Sequence, residues 1–138
     1  MKAVFCHDNV YRTDAAGRVY SEGQFDAAGW SRYLEVFDRL TVVGRGRPLE
    51  AGADPSRFNL SGREGVDFRF LPDLAGPVRK FTRRPGAQRE LEAIIGDADA
   101  VIIRAAGELS KLAFRVAGRL DRPVAVEVVG CSWDALWN

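Results

Sequence analysis

The sequence has very few of the residues that bind metal ions or form disulfides. Its 138 residues include one histidine and two cysteines, Cys6 and Cys131, with no CxxC or His/Cys cluster. We therefore expect no metal site, because zinc sites need several such ligands at close spacing. We also predict that the two cysteines do not form a disulfide. They end the first and the last of the strands predicted below, and one strand between these two would hold them about 10 Å apart, whereas a disulfide needs Cα atoms within about 7 Å.

The glycine motifs that mark nucleotide-binding and hydrolase folds are missing as well. The sequence contains no GxGxxG, no GxxxxGKS or GxxxxGKT, and no GxSxG. These absences exclude a dinucleotide-binding Rossmann domain, a P-loop NTPase and an α/β-hydrolase. A dinucleotide site is further disfavoured because Arg45 and Arg47 follow the second predicted strand, where an acidic residue would hold the ribose.

Neither the charge balance nor the hydropathy marks a nucleic-acid-binding or membrane-spanning chain. Lysine and arginine total 20, and aspartate and glutamate total 19, which leaves no overall attraction to a polyanion. No apolar run approaches the roughly 20 residues that a membrane helix needs. The first residues enter an apolar strand without a signal-peptide pattern, so we expect a cytoplasmic protein.

One stretch departs from this charge balance. Between Leu74 and Arg89 there is no acidic residue, and the basic residues there are Arg79, Lys80, Arg83 and Arg84. Such a run is either a solvated loop or a contact with an anion or an anionic membrane surface, at roughly 1 kcal/mol per basic residue.

What the sequence does contain is a regular alternation of strand and helix patterns. Apolar runs or alternating residues predict strands at 3–6, 40–43, 66–70, 100–103 and 124–129. Helical spacing of apolar residues appears around 30–37 and throughout 109–120. A further helix is predicted from Pro85, which suits a first helical turn, to Gly96, which suits a helix end.

These elements predict a doubly wound α/β domain with a mostly parallel, five-stranded, Rossmann-like sheet in the order 3-2-1-4-5. The strand at 66–70 alternates apolar and polar residues, which places it at an edge. The whole chain, 1–138, is expected to be one domain that is truncated in a helix begun at 133–138. Ligands of such sheets bind beyond the carboxyl ends of the strands, where His7 and Asp8 follow the first strand.

Three blocks of sequence carry a resemblance to a known family. The first is Phe-Cys-His-Asp-Asn at 5–9. The second is Val-Tyr-Ser-Glu-Gly-Gln-Phe at 19–25, which runs into Arg-Tyr-Leu-Glu-Val-Phe-Asp at 32–38 and Thr-Val-Val-Gly-Arg at 41–45. The third is Glu-Val-Val-Gly-Cys-Ser-Trp-Asp-Ala-Leu-Trp-Asn at 127–138. Together they resemble the N-terminal domain of bacterial GT-B glycosyltransferases, of the retaining, family-four type used in surface polysaccharide synthesis.

The resemblance implies the acceptor-binding half of an enzyme whose two domains face each other across a cleft. The acceptor would be a saccharide or a lipid-linked saccharide, with peripheral membrane contact. A nucleotide-sugar donor would be held by a C-terminal domain that this chain lacks, so the chain should carry no cofactor and be inactive alone. Uncovered Trp133, Leu136 and Trp137 would favour self-association through the C-terminal end.

His7 is the catalytic residue that we predict, because its pKa near neutrality suits a general base; the alternative is a hydrogen bond to a neighbouring loop. Asp8 either contacts the acceptor or caps its own turn. Arg104 either clamps a phosphate or carboxylate, or pairs with Glu108 or Glu127.

The other predicted acceptor-binding residues are Gly23, Glu127, Cys131, Trp133 and Asp134. Gly23 permits a close approach of loop and helix, or of the acceptor, to the backbone. Glu127 interrupts an apolar strand, and a carboxylate there needs a partner. Trp133 either stacks on a sugar ring or belongs to the core.

An alternative from another class is a free-standing, flavodoxin-like binding or regulatory domain. A phosphorylated receiver domain fits poorly, because it needs an acidic cluster after the first strand and Asp8 stands there alone.

Overall fold

The computed structural model describes residues 1–74, 76–105 and 107–129. Within these ranges the strands are β1 (Lys2–Thr13), β2 (Val19–Ser21), β3 (Arg39–Pro48), β4 (Asn59–Leu60), β5 (Val66–Phe70), β6 (Ala100–Ala105) and β7 (Val124–Val128). The α-helices are α1 (Ser31–Leu34), α2 (Pro77–Gly96) and α3 (Glu108–Arg119), and a 3-10 turn spans Pro55–Arg57. None of the helices in the described ranges is long and apolar enough to cross a membrane.

The strands form one mixed sheet that forks along β1. β1 is parallel to β3 on one side. On its other side, residues 3–6 of β1 pair in parallel with β6, and residues 11–13 pair antiparallel with β2. β4 adds to β2 antiparallel, while β5 and β7 add to β3 and β6 in parallel. The prediction of a mostly parallel, five-stranded, Rossmann-like sheet is therefore wrong, because the sheet has seven strands of mixed direction.

The two unpredicted strands arise because β1 is far longer than its apolar run. The sequence His7-Asp8-Asn9 indicated a turn, but these three residues lie opposite Gly44 as an irregularity between the pairs Cys6–Val43 and Val10–Arg45. A bulge of this kind absorbs extra residues without ending the strand. The continued strand exposes an edge, and the following loop pairs with it as β2, through a tight turn in which Gly17 has a φ of +79°.

The helices also differ from the sequence prediction at their ends. α2 begins at Pro77, so Pro85 lies inside the helix rather than in its first turn. Before Ala87, none of the side chains of α2 that the structure describes is buried. The first half of α2 therefore has no helical spacing of apolar residues by which the sequence could predict it. The predicted helix around 30–37 is only the four-residue α1.

The core has two parts, one on each face of the sheet, because successive side chains of a strand point to opposite faces. Helices α2 and α3 cover the face that contains Val4 and Cys6. The other face is aromatic, and its buried side chains include Phe5, Tyr11 and Trp30. Trp30 is 1% exposed and donates its indole N–H to the Ser61 carbonyl at 3.1 Å, so this aromatic cluster is held in one arrangement. The aromatic face borders the candidate site.

Candidate functional site

The carboxyl ends of three parallel strands bring together four of the predicted site residues. β6 pairs with β1 through Cys6 and Ile103, and with β7 through Arg104 and Glu127. His7 follows Cys6, and its Nδ1 lies 3.3 Å from the carbonyl oxygen of Arg104. The structure therefore places His7, Asp8, Arg104 and Glu127 at one edge of the sheet, as the strand register requires.

Arg104 and Glu127 form an ion pair, with Nε of the arginine 3.6 Å from Oε2 of the glutamate. The other carboxylate oxygen of Glu127 accepts a hydrogen bond of 2.7 Å from the Tyr33 hydroxyl. Arg32 lies 3.4 Å from that same oxygen and also donates to the Tyr33 hydroxyl. Burial and the hydrogen bond to Glu127 raise the pKa of Tyr33 to about 12, so the hydroxyl stays protonated and acts as a donor.

A pocket of about 130 Å³ opens beside this network. Its aromatic walls are Phe25, Trp30 and Tyr33, and its polar walls are Gln24, Arg32 and Arg104, with Gly29 between them. Phe25 is the central wall: its ring stacks on Trp30 at a centroid distance of 5.7 Å, and the Arg104 guanidinium lies 5.0 Å from its centroid. The pocket thus combines flat apolar surfaces with fixed cationic donors.

His7 stands beside this pocket, with its ring centroid 5.1 Å from that of Phe25. Burial lowers the pKa of His7 below its ordinary value; the positive charges of Arg104 and Arg45 act in the same direction, against the hydrogen bond at Arg104 and the charge of Asp8. His7 is therefore neutral at pH 7. Since a carbonyl only accepts, the contact with Arg104 puts the proton on Nδ1 and leaves Nε2 as an acceptor.

Asp8 uses its carboxylate inside the protein rather than in the pocket. Its Oδ2 accepts from the backbone N–H groups of Leu109 at 2.9 Å and Ser110 at 3.4 Å, at the N-terminus of α3. Asp8 therefore caps α3, a helix packed against its own strand, and not its own turn, which neither sequence alternative anticipated. Gly107 allows this contact, because a Cβ at that position would lie 1.8 Å from Asp8 Oδ2.

The remaining predicted residues divide into those near the pocket and those outside the description. Gly23 has a φ of +109° and precedes the pocket residues Gln24 and Phe25; its carbonyl accepts from Asn59 at 2.8 Å. Cys131, Trp133 and Asp134, and with them the predicted self-association surface, lie outside the described residues. Cys6 is fully buried, and burial raises the pKa of its thiol to about 12.

The basic run lies on the first half of α2, away from this pocket. Arg79 pairs with Asp73 at 2.9 Å, and Lys80, Arg83 and Arg84 follow in the helix. Two apolar side chains stand exposed among them, Val78 at 74% and Phe81 at 86%. In the described ranges, no group of three or more histidine, cysteine or acidic side chains is placed to hold a metal ion.

Sequence reasoning missed most of the pocket walls. Phe25, Trp30, Tyr33 and Arg32 are not among the predicted site residues; Trp30 and Tyr33 belong to the helix pattern around 30–37, and Phe25 and Arg32 to the resemblance blocks at 19–25 and 32–38. The signal that could have identified them is the density of aromatic residues between 25 and 37, next to two glycines, Gly23 and Gly29.

The chain was compared with protein-family profiles and with curated proteins. No protein-family profile matches the chain. The protein CapJ of Staphylococcus aureus is 29% identical over 140 residues, which cover 99% of this chain and 34% of CapJ. This chain therefore spans about a third of the length of that relative.

Among solved structures, the C-terminal domain of a hydrogenase from Pyrococcus furiosus superimposes with a TM-score of 0.45 at 9% identity. The match covers 91% of this chain and 90% of that domain. A similarity of this size carries no functional inference.

Proposed function

We propose that this chain is the acceptor-binding, N-terminal part of a sugar-nucleotide-dependent glycosyltransferase of surface polysaccharide synthesis, and that it is inactive alone. The observation that carries the proposal is the pocket beside His7, with aromatic walls from Phe25 and Tyr33 and fixed polar groups from Arg104. Ligand sites of α/β sheets lie beyond the carboxyl ends of parallel strands, which is where this pocket opens. The similarity to the protein CapJ agrees with this biological setting, since that name suggests an involvement in capsule biosynthesis.

The chemistry of the pocket suits a saccharide. Aromatic rings offer flat apolar surfaces for the C–H faces of a sugar ring, and a few placed polar groups fix the orientation of its hydroxyls. Gln24 and Arg32 supply side-chain donors at the pocket wall. His7, neutral with Nε2 free to accept, is the residue that would contact the acceptor hydroxyl.

The donor nucleotide belongs elsewhere in this proposal. A diphosphate is usually held by backbone N–H groups at a helix N-terminus behind a glycine-rich turn. At α3 those N–H groups are already bonded to the Asp8 carboxylate. We therefore place the nucleotide sugar on a second domain of the enzyme rather than on this one.

Calorimetry separates acceptor binding from donor binding. The chain should give no heat of binding with UDP-glucose or GDP-mannose at concentrations where oligosaccharides of surface polysaccharides bind. Phe25→Ala should abolish the saccharide signal, whereas Phe58→Ala, which changes a phenylalanine outside the pocket, should not. Micromolar affinity for a sugar nucleotide that is lost on changing residues around Gly23 would contradict the proposal and indicate a nucleotide-binding module.

We also propose peripheral contact between the first half of α2 and an anionic membrane surface. The observation that favours it is the exposure of Val78, directly before the basic run, and of Phe81, one helical turn later and inside it. Apolar side chains that insert between headgroups, flanked by arginines that attract anionic lipid, are the two usual parts of an interfacial helix. Such a contact would place the pocket near lipid-linked acceptors.

A further inference from the structure

We infer that the pocket selects a saccharide carrying an anionic substituent, a phosphate or a carboxylate, which Arg104 and Arg32 bind above the ring of Phe25. This inference rests on the proposed function, since it names the chemical class of the acceptor for the same pocket. The ring of the sugar would lie against the aromatic walls, and its anionic group would enter the polar side.

The charges at the pocket do not balance. Arg104 and Arg32 both face one carboxylate, Glu127, at 3.6 and 3.4 Å. The pocket walls themselves include both arginines and no acidic residue. The two arginines therefore carry one positive charge more than Glu127 balances, with Arg104 13% exposed and Arg32 59% exposed at the pocket.

The hydrogen-bonding capacity of Arg104 is also only partly used. Its Nε is buried and has no hydrogen bond, because the contact with Glu127 is an ion pair too long for one. Oε2 of Glu127 is likewise buried without a hydrogen bond. Among the described residues, no hydrogen bond occupies the terminal nitrogens of Arg104. Because Nε faces Glu127, the donors that Arg104 can offer to a ligand in the pocket are its terminal nitrogens.

Arginine is well suited to such an acceptor. Its planar guanidinium donates parallel N–H groups that match a carboxylate or a phosphate in two-point contacts. The guanidinium of Arg104 is held by two contacts, the ion pair with Glu127 and the Phe25 ring, whose centroid is 5.0 Å away. This orientation lowers the entropy cost of binding, because little side-chain freedom remains to be lost.

The enclosure of the pocket argues for an anion attached to a sugar rather than for a free ion. Phe25, Trp30 and Tyr33 form one continuous aromatic wall, and their mutual ring-centroid distances include 5.7 Å for Phe25–Trp30 and 6.1 Å for Trp30–Tyr33. A free ion gains nothing from such a wall, whereas a sugar ring buries its apolar face there.

The test compares four probes by NMR titration of the whole chain: methyl glucoside, methyl glucuronide, glucose 1-phosphate and inorganic phosphate. We expect at least one of the two charged sugars to bind about tenfold more tightly than methyl glucoside, as charge-assisted hydrogen bonds allow. The comparison of glucuronide with sugar phosphate identifies the anion. Equal affinity for the neutral and both charged sugars would overturn this inference and leave the proposed function standing. No saccharide response at the pocket would overturn both.

Two further results decide the source of selectivity. Inorganic phosphate that binds as tightly as glucose 1-phosphate would overturn the inference, because the sugar would then contribute nothing.

Arg32→Gln changes a side chain that is 59% exposed, so the variant should fold normally and should reduce the preference for charged sugars severalfold. Arg39→Gln is the matched control at 63% exposure, at the amino end of β3, and should leave that preference unchanged. Arg104→Lys keeps the charge without the two-point geometry and should lose most of the preference.

Discussion

Replacing Gly107 with alanine should destabilise the protein through one identifiable contact. A Cβ at this position would lie 1.8 Å from Asp8 Oδ2, and distances under 3.0 Å are essentially never seen for real Cβ atoms. The Asp8 carboxylate would have to leave the N–H groups of Leu109 and Ser110 that it now accepts from. The φ of Gly107, +155°, is also one that other residues rarely adopt.

The expected loss follows from these two costs. Removing a helix N-cap costs about 0.5–2 kcal/mol. Holding a non-glycine residue in a sparsely populated backbone region costs on the order of 1–3 kcal/mol. Gly107→Ala should therefore lower the free energy of unfolding by about 1.5–5 kcal/mol, out of the roughly 5–15 kcal/mol that proteins usually have.

Urea unfolding followed by circular dichroism measures this change, with Gly118→Ala as the control. Gly118 lies inside α3 with nothing within 4 Å of a built Cβ, so alanine there should raise the stability by about 0.5–1 kcal/mol. In an Asp8→Ala background, Gly107→Ala should cost about 0.5–2 kcal/mol less than in the native chain, because the carboxylate at 1.8 Å is gone and only the Cβ of residue 8, at 2.8 Å, remains close. A Gly107→Ala protein within about 0.5 kcal/mol of the native one, or equal costs in both backgrounds, would refute the contact.

Three other predictions concern titration, thiols and membranes. Because the pKa of His7 is lowered in the folded state, the unfolded chain binds more protons, so the free energy of unfolding should fall as the pH drops below about 6.5. His7→Gln removes the single histidine, so urea unfolding of this variant should show a smaller fall between pH 7 and pH 5.5. An unchanged fall would count against this assignment. Thiol titration of the native protein should find Cys6 unreactive, because its thiol is buried and has a pKa raised to about 12. After denaturation without reductant, the titration should count both Cys6 and Cys131 as free thiols. A denatured monomer without free thiols would show a disulfide. The chain should co-float with phosphatidylglycerol vesicles and not with phosphatidylcholine vesicles. Phe81→Ser should weaken this binding severalfold, whereas the control Phe114→Ser, at a residue 55% exposed on α3, should not. Equal effects of the two changes would rule out docking through α2.

The convergence of His7, Arg104 and Glu127 could be predicted because it depends on local patterns. Each residue ends or interrupts an apolar run, and parallel strands bring their carboxyl ends to one edge. The strand register then places Arg104 opposite Glu127 and sets His7 against the Arg104 carbonyl. The position of each residue relative to the end of its apolar run was therefore enough to predict that these three residues lie close together.

The role of Asp8 and the mixed sheet could not be predicted because both depend on contacts between distant segments. Asp8 caps a helix that begins about a hundred residues later, and only the glycine at 107 leaves room for it. The antiparallel strands need β1 to continue through the bulge at residues 7–9, where the local sequence favours a turn. The predicted start of α2 at Pro85 was wrong, because proline is common in a first helical turn but lies here inside the helix, in its exposed half.

The central claim, that the pocket beside His7 binds a saccharide acceptor, is tested most directly by mapping binding on the ¹⁵N-labelled chain. Titration with an anionic oligosaccharide of a surface polysaccharide should shift the amide signals of Phe25 and Tyr33, the Trp30 indole N–H and the Arg104 side chain. The signals of Lys2 and Asp97, at the opposite edge of the sheet, should stay in place. UDP-glucose at the same concentration should shift none of them. Shifts confined to the Lys2 edge, or shifts at the pocket with UDP-glucose and none with saccharide, would contradict the account.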